Sequence, residues 1–323
     1  MALTIWCNSQ LSESATRLLT AGLQPHRLVF PADGEMSTGK EAAADPAMDG
    51  ADIAFGQPNV AQCLQSPRLR WLALNSAGYT RYDREDLRET FRRKGTAMTS
   101  ASGVYADPCA QHAFAMMLAL GRQLLPAYRD QLADRPWHQR ELRAQSQVLT
   151  GQTVLLLGFG GIGRRLADLL APFGMTIYAV RRQTRSEAGV RIIPEEDLTR
   201  VLPLADHVVN ILPENDATRN YVNARRLGWC RRGARFYNIG RGTTVDQAAL
   251  IDALQTGRLG SAYLDVTDPE PLPPDHPLWT APNCYITPHT AGGAHNENDV
   301  LVRHFLRNLE AFTRGEPLTD RVV

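Results

Sequence analysis

Thr153-Val154-Leu155-Leu156-Leu157-Gly158-Phe159-Gly160-Gly161-Ile162-Gly163 reads as a short apolar strand running directly into a GxGxxG turn. The following residues, 164–173, carry apolar positions at helical spacing, so the glycines lie between a strand and a helix. That placement gives each glycine a task. Gly158 permits the tight turn, Gly160 lets backbone approach a pyrophosphate, and Gly163 lets the helix lie close to the strand. The N–H groups at the helix start, from Gly161 and Ile162 onward, have no partner within the helix and attract phosphate.

Outward from this turn, strands are expected at 153–157, 176–180, 207–212, 235–239, 262–266 and 285–287. Strands in that alternation with helices predict a doubly wound, Rossmann-type sheet. Upstream, strand-like runs at 3–6, 27–30, 52–55 and 71–74 alternate with helical stretches and predict a first parallel α/β region. Asp107-Pro108 reads as an N-cap and first-turn proline ahead of a long, largely buried helix over 109–125. A polar stretch, 129–147, follows it, and the apolar spacing in 298–312 predicts a last helix that packs back on the first region.

Composition narrows the function classes. The 323 residues include 35 Lys plus Arg against 34 Asp plus Glu, a formal charge of +1 with no long run of one sign. Neither nucleic acid nor an anionic membrane is an expected partner. Cys7, Cys63, Cys109, Cys230 and Cys284 are scattered, without a CxxC pair, and read as reduced, small apolar residues. No HExxH or clustered His/Cys/Asp spacing suggests a metal. The absence of a signal-like N-terminus or a long apolar span leads us to expect a cytoplasmic location.

Three segments each follow an expected strand of the second sheet: Asn238-Ile239-Gly240-Arg241-Gly242, Leu264-Asp265-Val266-Thr267-Asp268-Pro269-Glu270-Pro271, and Thr287-Pro288-His289-Thr290. Singly, each is an ordinary turn. Together they supply a cation to hold a carboxylate, an acid to protonate a carbonyl oxygen, and a carboxylate to support that acid. With the GxGxxG ahead of them, their order and spacing resemble the D-isomer-specific 2-hydroxyacid dehydrogenases, over roughly 71–293.

The resemblance implies two Rossmann-like, doubly wound parallel-sheet domains of the α/β class. A dinucleotide-binding domain, 102–292, would be inserted in a flavodoxin-like substrate domain made of 1–101 plus 293–323, with the active site in the cleft. It implies that Arg241 forks onto the substrate, that His289 is the acid in reduction, and that Glu270 hydrogen-bonds His289. Cofactor contacts would come from Gly158, Gly160, Gly161, Ile162, Gly163, Arg181, Arg182, Pro213, Ile239 and Asp265, the last orienting the nicotinamide amide. Substrate would meet Ala77, Gly78, Arg241 and His289, and Gln57 and Tyr79 would line the pocket for its side chain.

Cofactor choice rests on one position. Where a site for NAD carries an acid at the end of its second strand, this chain has Arg181 followed by Arg182. A guanidinium suits a 2′-phosphate and cannot accept from a ribose hydroxyl, so NADP is the expected cofactor and NAD the second choice. The other reading of these arginines is a solvated basic loop.

The chain departs from the family pattern at Gln111, commonly a Glu, and at Thr267-Asp268-Pro269, which looks closer to a glyoxylate- or hydroxypyruvate-reducing subgroup. The implied enzyme is an NAD(P)-dependent D-2-hydroxyacid dehydrogenase, a homodimer. Two rivals stay open: a cofactor-sensing, corepressor-like binding protein that shares these residues, and a short phosphoglycerate dehydrogenase. Formate dehydrogenases of the family pair their His with Gln, against which Glu270 argues.

Overall fold

The strands pair in parallel throughout the computed structural model, which describes residues 2–32, 34, 36–37, 41–181 and 186–323. The chain divides into two units, 1–105 with 294–323, and 106–293.

In the first unit the order is β1 (Thr4–Cys7), α1 (Glu13–Gly22), β2 (Arg27–Val29), β3 (Ile53–Gly56), α2 (Val60–Gln65), β4 (Trp71–Leu74), α3 (Glu85–Lys94) and β5 (Ala97–Thr99). The sheet order β2-β1-β3-β4-β5 is the flavodoxin-like one. Alternation along each strand splits the core into two faces. Ile5, Cys7, Ile53, Phe55, Trp71 and Ala73 face one side, and Trp6, Ala54, Leu72, Leu74 and Met98 the other. The C-terminal helix Glu297–Arg314 covers the first face, with Phe305 stacked on Phe55 at 4.2 Å and on Trp71 at 5.2 Å between ring centroids. β5 escapes sequence reading because three residues between polar neighbours carry too little period.

The second unit is entered through α4 (Ser102–Gly121), followed by α5 (Leu124–Leu132), α6 (Gln139–Gln145), β6 (Thr153–Leu157), α7 (Gly161–Leu170), β7 (Thr176–Val180), β8 (Val190–Ile193), β9 (His207–Asn210), β10 (Ala234–Asn238), β11 (Leu259–Leu264) and β12 (Cys284–Ile286). Among the described residues its sheet has seven strands, ordered β12-β11-β10-β9-β6-β7-β8. The chain winds outward from β6 to β8, then returns to lay β9 beside β6. That reversal is the switch point at which doubly wound sheets bind ligands, outside the carboxyl ends of the strands.

Three expectations change here. β8 is a strand the sequence does not announce, a short half-buried edge. The helix expected from Asp107 starts at Ser102, with Pro108 inside it, so the lost N–H is absorbed within a longer helix. It is also not buried all round: Cys109, Ala110, Ala113, Met117 and Leu120 form one buried stripe while Ala115 is exposed. A uniformly apolar sequence cannot tell which face turns inward.

The strand register sets up the site. Ile193, Val180, Leu157, Asn210, Asn238, Leu264 and Ile286 are successive Cα partners, one row along the carboxyl edge of the sheet. Gly158, Arg181, Ile211, Ile239, Asp265 and Thr287 are the residues immediately beyond that row.

β9 also carries a buried histidine. His207 lies with Nδ1 3.0 Å from the Tyr237 hydroxyl and Nε2 2.6 Å from Gln152 Oε1. Burial, then the nearby Arg235 cation, pushes its pKa down to about 3. In the unfolded chain the value is about 6.5. Between these values the unfolded state binds the extra proton, so stability is full above the upper value and is lost as pH falls toward the lower. We expect the urea midpoint to fall between about pH 7 and pH 4 more steeply for the wild type than for His207→Gln. Parallel curves would remove His207 as the source.

Candidate active site

The glycine turn is shaped by what surrounds it. Gly158 adopts a φ of +99°, and a Cβ there would sit 3.3 Å from the Ile211 carbonyl. A Cβ on Gly163 would lie 3.0 Å from the Gly158 carbonyl oxygen, so this glycine packs the helix start against the turn itself. Around Gly160 a Cβ meets nothing within 4 Å, which leaves open space before the helix. Among the described residues the N–H groups of Gly161, Ile162 and Gly163 have no partner, whereas Arg164 N–H closes the first turn on the Gly160 carbonyl at 3.0 Å. The result is a cradle of free donors at the positive end of α7 that fits a pyrophosphate.

Arg181 leaves β7 half-buried at the same edge. Arg182 lies outside the described residues. Ile239 is buried and donates its N–H to the Asn210 carbonyl at 3.1 Å, while Pro213 stands three residues beyond the row, its carbonyl accepting from the Thr218 hydroxyl at 2.6 Å.

The Arg241 turn is built from buried polar side chains that sequence reading passed over. Asn210 Nδ2 donates to Asn238 Oδ1 at 2.9 Å and to Thr244 Oγ1 at 2.7 Å. Asn238 Nδ2 and the Thr244 hydroxyl both donate to the Arg241 carbonyl, at 3.2 and 2.6 Å. The available signal was two asparagines ending apolar strands, each a buried polar group in need of a partner. The flanking glycines allow no alternative: a Cβ on Gly240 would come within 2.7 Å of the Leu212 carbonyl oxygen, and one on Gly242 within 1.9 Å of that of Thr267. Arg241 Nη1 donates to the Gly240 carbonyl at 2.6 Å, and no carboxylate among the described residues pairs with the guanidinium.

His289 sits in the left-handed region, φ +53°, its N–H donating to the Asp265 carbonyl at 2.8 Å. Nδ1 lies 2.8 Å from Glu270 Oε2, and the other Glu270 oxygen accepts the Thr267 N–H at 3.1 Å. The ring is thereby turned with Nε2 outward. His289, Glu270 and Asp265 line a cavity of about 380 Å³ whose apolar wall is Leu272, Trp279 and Ile286. A half-exposed imidazole oriented by a carboxylate can give or take a proton at Nε2.

In the first unit, residues 75–78 follow β4. Among the described residues the N–H groups of Ala77 and Gly78 carry no hydrogen bond, so both can receive an anion. Gln57, expected to line the substrate pocket, is tied into the hydrogen-bond network of this loop. It is 3% exposed, and its amide group binds Asn75 Oδ1 at 2.7 Å, Ser76 Oγ at 2.9 Å and Arg81 Nη1 at 3.2 Å, which makes it the anchor of this loop. Tyr79 caps the helical turn Thr80–Tyr82.

Residues 114–291 match the family model described as the D-isomer specific 2-hydroxyacid dehydrogenase, NAD binding domain. A glyoxylate reductase of Korarchaeum cryptofilum is 33% identical over 78% of this chain and 75% of its own length. The human glyoxylate reductase/hydroxypyruvate reductase is 32% identical over 72% of each chain. A crystal structure of a D-isomer specific 2-hydroxyacid dehydrogenase from Xanthobacter autotrophicus, in complex with NADPH and MES, superimposes with a TM-score of 0.81. It covers 100% of this chain and 98% of that one, at 25% identity.

Proposed function

The chain belongs to the D-isomer-specific 2-hydroxyacid dehydrogenase family, and from that membership we propose that it reduces glyoxylate to glycolate, or hydroxypyruvate to D-glycerate, with NADPH. The observation that carries this reading is the Glu270–His289 pair, held on the same sheet edge as an Arg241 that has no carboxylate partner among the described residues. The glycine cradle fits a dinucleotide, whose nicotinamide when bound supplies the hydride.

Arg241 forks onto the substrate carboxylate and carbonyl, which fixes the keto carbon and draws charge toward the carbonyl oxygen. His289 donates its Nε2 proton to that oxygen. Glu270 stays on Nδ1 throughout, so the ring cannot turn and Nε2 remains the atom that faces the substrate. Loss of NADPH absorbance in the presence of a panel of 2-keto acids tests the reading. Turnover of glyoxylate, or of hydroxypyruvate to the D product, supports it; tight NADPH binding with no turnover of any keto acid would replace it with a cofactor-sensing protein.

Arg181, with Arg182 beside it, supports the choice of NADPH. Arg181→Asp is expected to lower kcat/KM for NADPH by about 30-fold, the size of one charged hydrogen bond, while NADH use holds or improves. An unchanged ratio between the two cofactors would leave Arg181 as a solvated loop residue.

We further propose a homodimer in the cytoplasm. Leu124, Tyr128, Leu132 and Trp137 are exposed, Trp137 at 90%, on the segment that includes α5, large apolar side chains that a partner copy would cover. Sedimentation of the wild type as a dimer and of Trp137→Glu as a monomer is the expected outcome; a monomeric wild type ends the assignment. Cys7, Cys63, Cys230 and Cys284 form no disulfide among the described residues, which suits a reducing compartment, and burial pushes their thiols up to about 12, which keeps them unreactive.

A further inference from the structure

Asp265 is buried beyond the end of β11, and donors converge on its carboxylate. Oδ1 accepts from the Thr287 hydroxyl at 2.6 Å and from the Thr290 N–H at 2.9 Å; Oδ2 accepts from the Ala291 N–H at 2.9 Å. Its backbone carbonyl takes the His289 N–H. The 287–291 turn, which holds His289 at positive φ, is therefore gathered onto this one residue.

The direction of the bonds behind Asp265 follows from counting hydrogens. A carboxylate only accepts, so the single hydroxyl hydrogen of Thr287 goes to Asp265. The Thr287 oxygen, 2.5 Å from the Tyr263 hydroxyl, then accepts the phenol's hydrogen. Burial raises the Tyr263 pKa and keeps that hydrogen in place. The phenol oxygen in turn accepts from His112 Nε2, 2.5 Å away, whose ring stacks on Tyr263 with centroids 5.6 Å apart. His112 must carry its hydrogen on Nε2.

We infer that His112, Tyr263 and Thr287 form a one-way hydrogen-bond chain that ties α4 to the Asp265 carboxylate and positions the turn bearing His289. They are positioning residues, since none of them touches the reacting atoms, and the inference rests on the reading of His289 as the proton donor. With the Thr290 and Ala291 N–H groups the chain fills three of the carboxylate's roughly four acceptor sites, two on Oδ1 and one on Oδ2, and leaves one on Oδ2 for a further N–H, such as a carboxamide. One carboxylate thus registers the proton donor against whatever that N–H belongs to.

The test uses the full-length protein. In a long-range 1H–15N spectrum of the cofactor-free enzyme at neutral pH, His112 is expected as the Nε2–H form, and Tyr263→Phe is expected to release that preference. An Nδ1–H form in the wild type overturns the assignment without reference to activity. In kinetics, Tyr263→Phe and Thr287→Val are expected to lower kcat by about tenfold through misplacement of the acid, with KM and NADPH affinity nearly unchanged. Thr287→Ser, which keeps the hydroxyl, is expected to restore kcat. Wild-type kcat in both Tyr263→Phe and Thr287→Val sinks the chain as a positioning device. His289→Asn separates the two claims: if it too retains full kcat, the reading of His289 fails, whereas its loss of activity beside active chain variants isolates the failure to the chain.

Discussion

His289→Asn is expected to lower kcat for keto-acid reduction by about 10³-fold while NADPH affinity and thermal stability hold, because it deletes the proton donor and little else. The choice of Asn matters. His289 has a φ of +53°, a conformation that asparagine tolerates better than alanine, so the turn keeps its shape. An Asn side chain can still donate to Glu270, which occupies one carboxylate oxygen at 2.8 Å from Nδ1 in the wild type. What it lacks is a proton it can transfer. Stopped-flow measurement of NADPH oxidation under single-turnover conditions reads the chemical step directly; a burst rate equal to that of the wild type would take His289 out of the reaction.

How much of this was legible beforehand depends on whether a residue's task is local. The glycine turn could be read because Gly158, Gly160 and Gly163 answer to their immediate neighbours, and the strand before and helix after are visible in the same stretch. Arg241, Asp265 and His289 could be found because parallel register carries strand ends to one edge, so residues far apart in sequence emerge from one row. The polar supports were not legible. Asn210, Asn238 and Thr244 act on one another across strands, and Tyr263 looks like any strand aromatic until His112 is laid against it by α4. Gln57 was legible as polar but not as buried, nor as bonded to Asn75 and Ser76, the contacts by which it anchors the 75–78 loop. β5 and β8 were missed for a different reason: three residues between polar neighbours, and four with Arg191 among them, carry too little period to read.

Arg241→Lys is expected to lower kcat/KM for the keto acid by about 10³-fold, with the loss shared between KM and kcat and with NADPH affinity intact. Charge is conserved in this variant, so any loss measures geometry. A guanidinium presents a planar fork that can engage a carboxylate oxygen and a carbonyl oxygen together, whereas an ammonium is a point charge on a flexible stem. In a less constrained turn a backbone shift recovers part of the contact. Here none is available: the Arg241 carbonyl is held by Asn238 and Thr244, and the glycines on either side already lie against the backbone of Leu212 and Thr267. The wild-type guanidinium is itself braced, with Nη1 on the Gly240 carbonyl at 2.6 Å, a bond that fixes the plane in which the remaining donors point. A lysine at this position loses the brace and the fork at once. The informative comparison is with Arg241→Ala, measured on the same keto acid. If lysine recovers most of what alanine loses, Arg241 contributes charge alone; if the two variants fall together, the fork held by this turn is what binds the substrate.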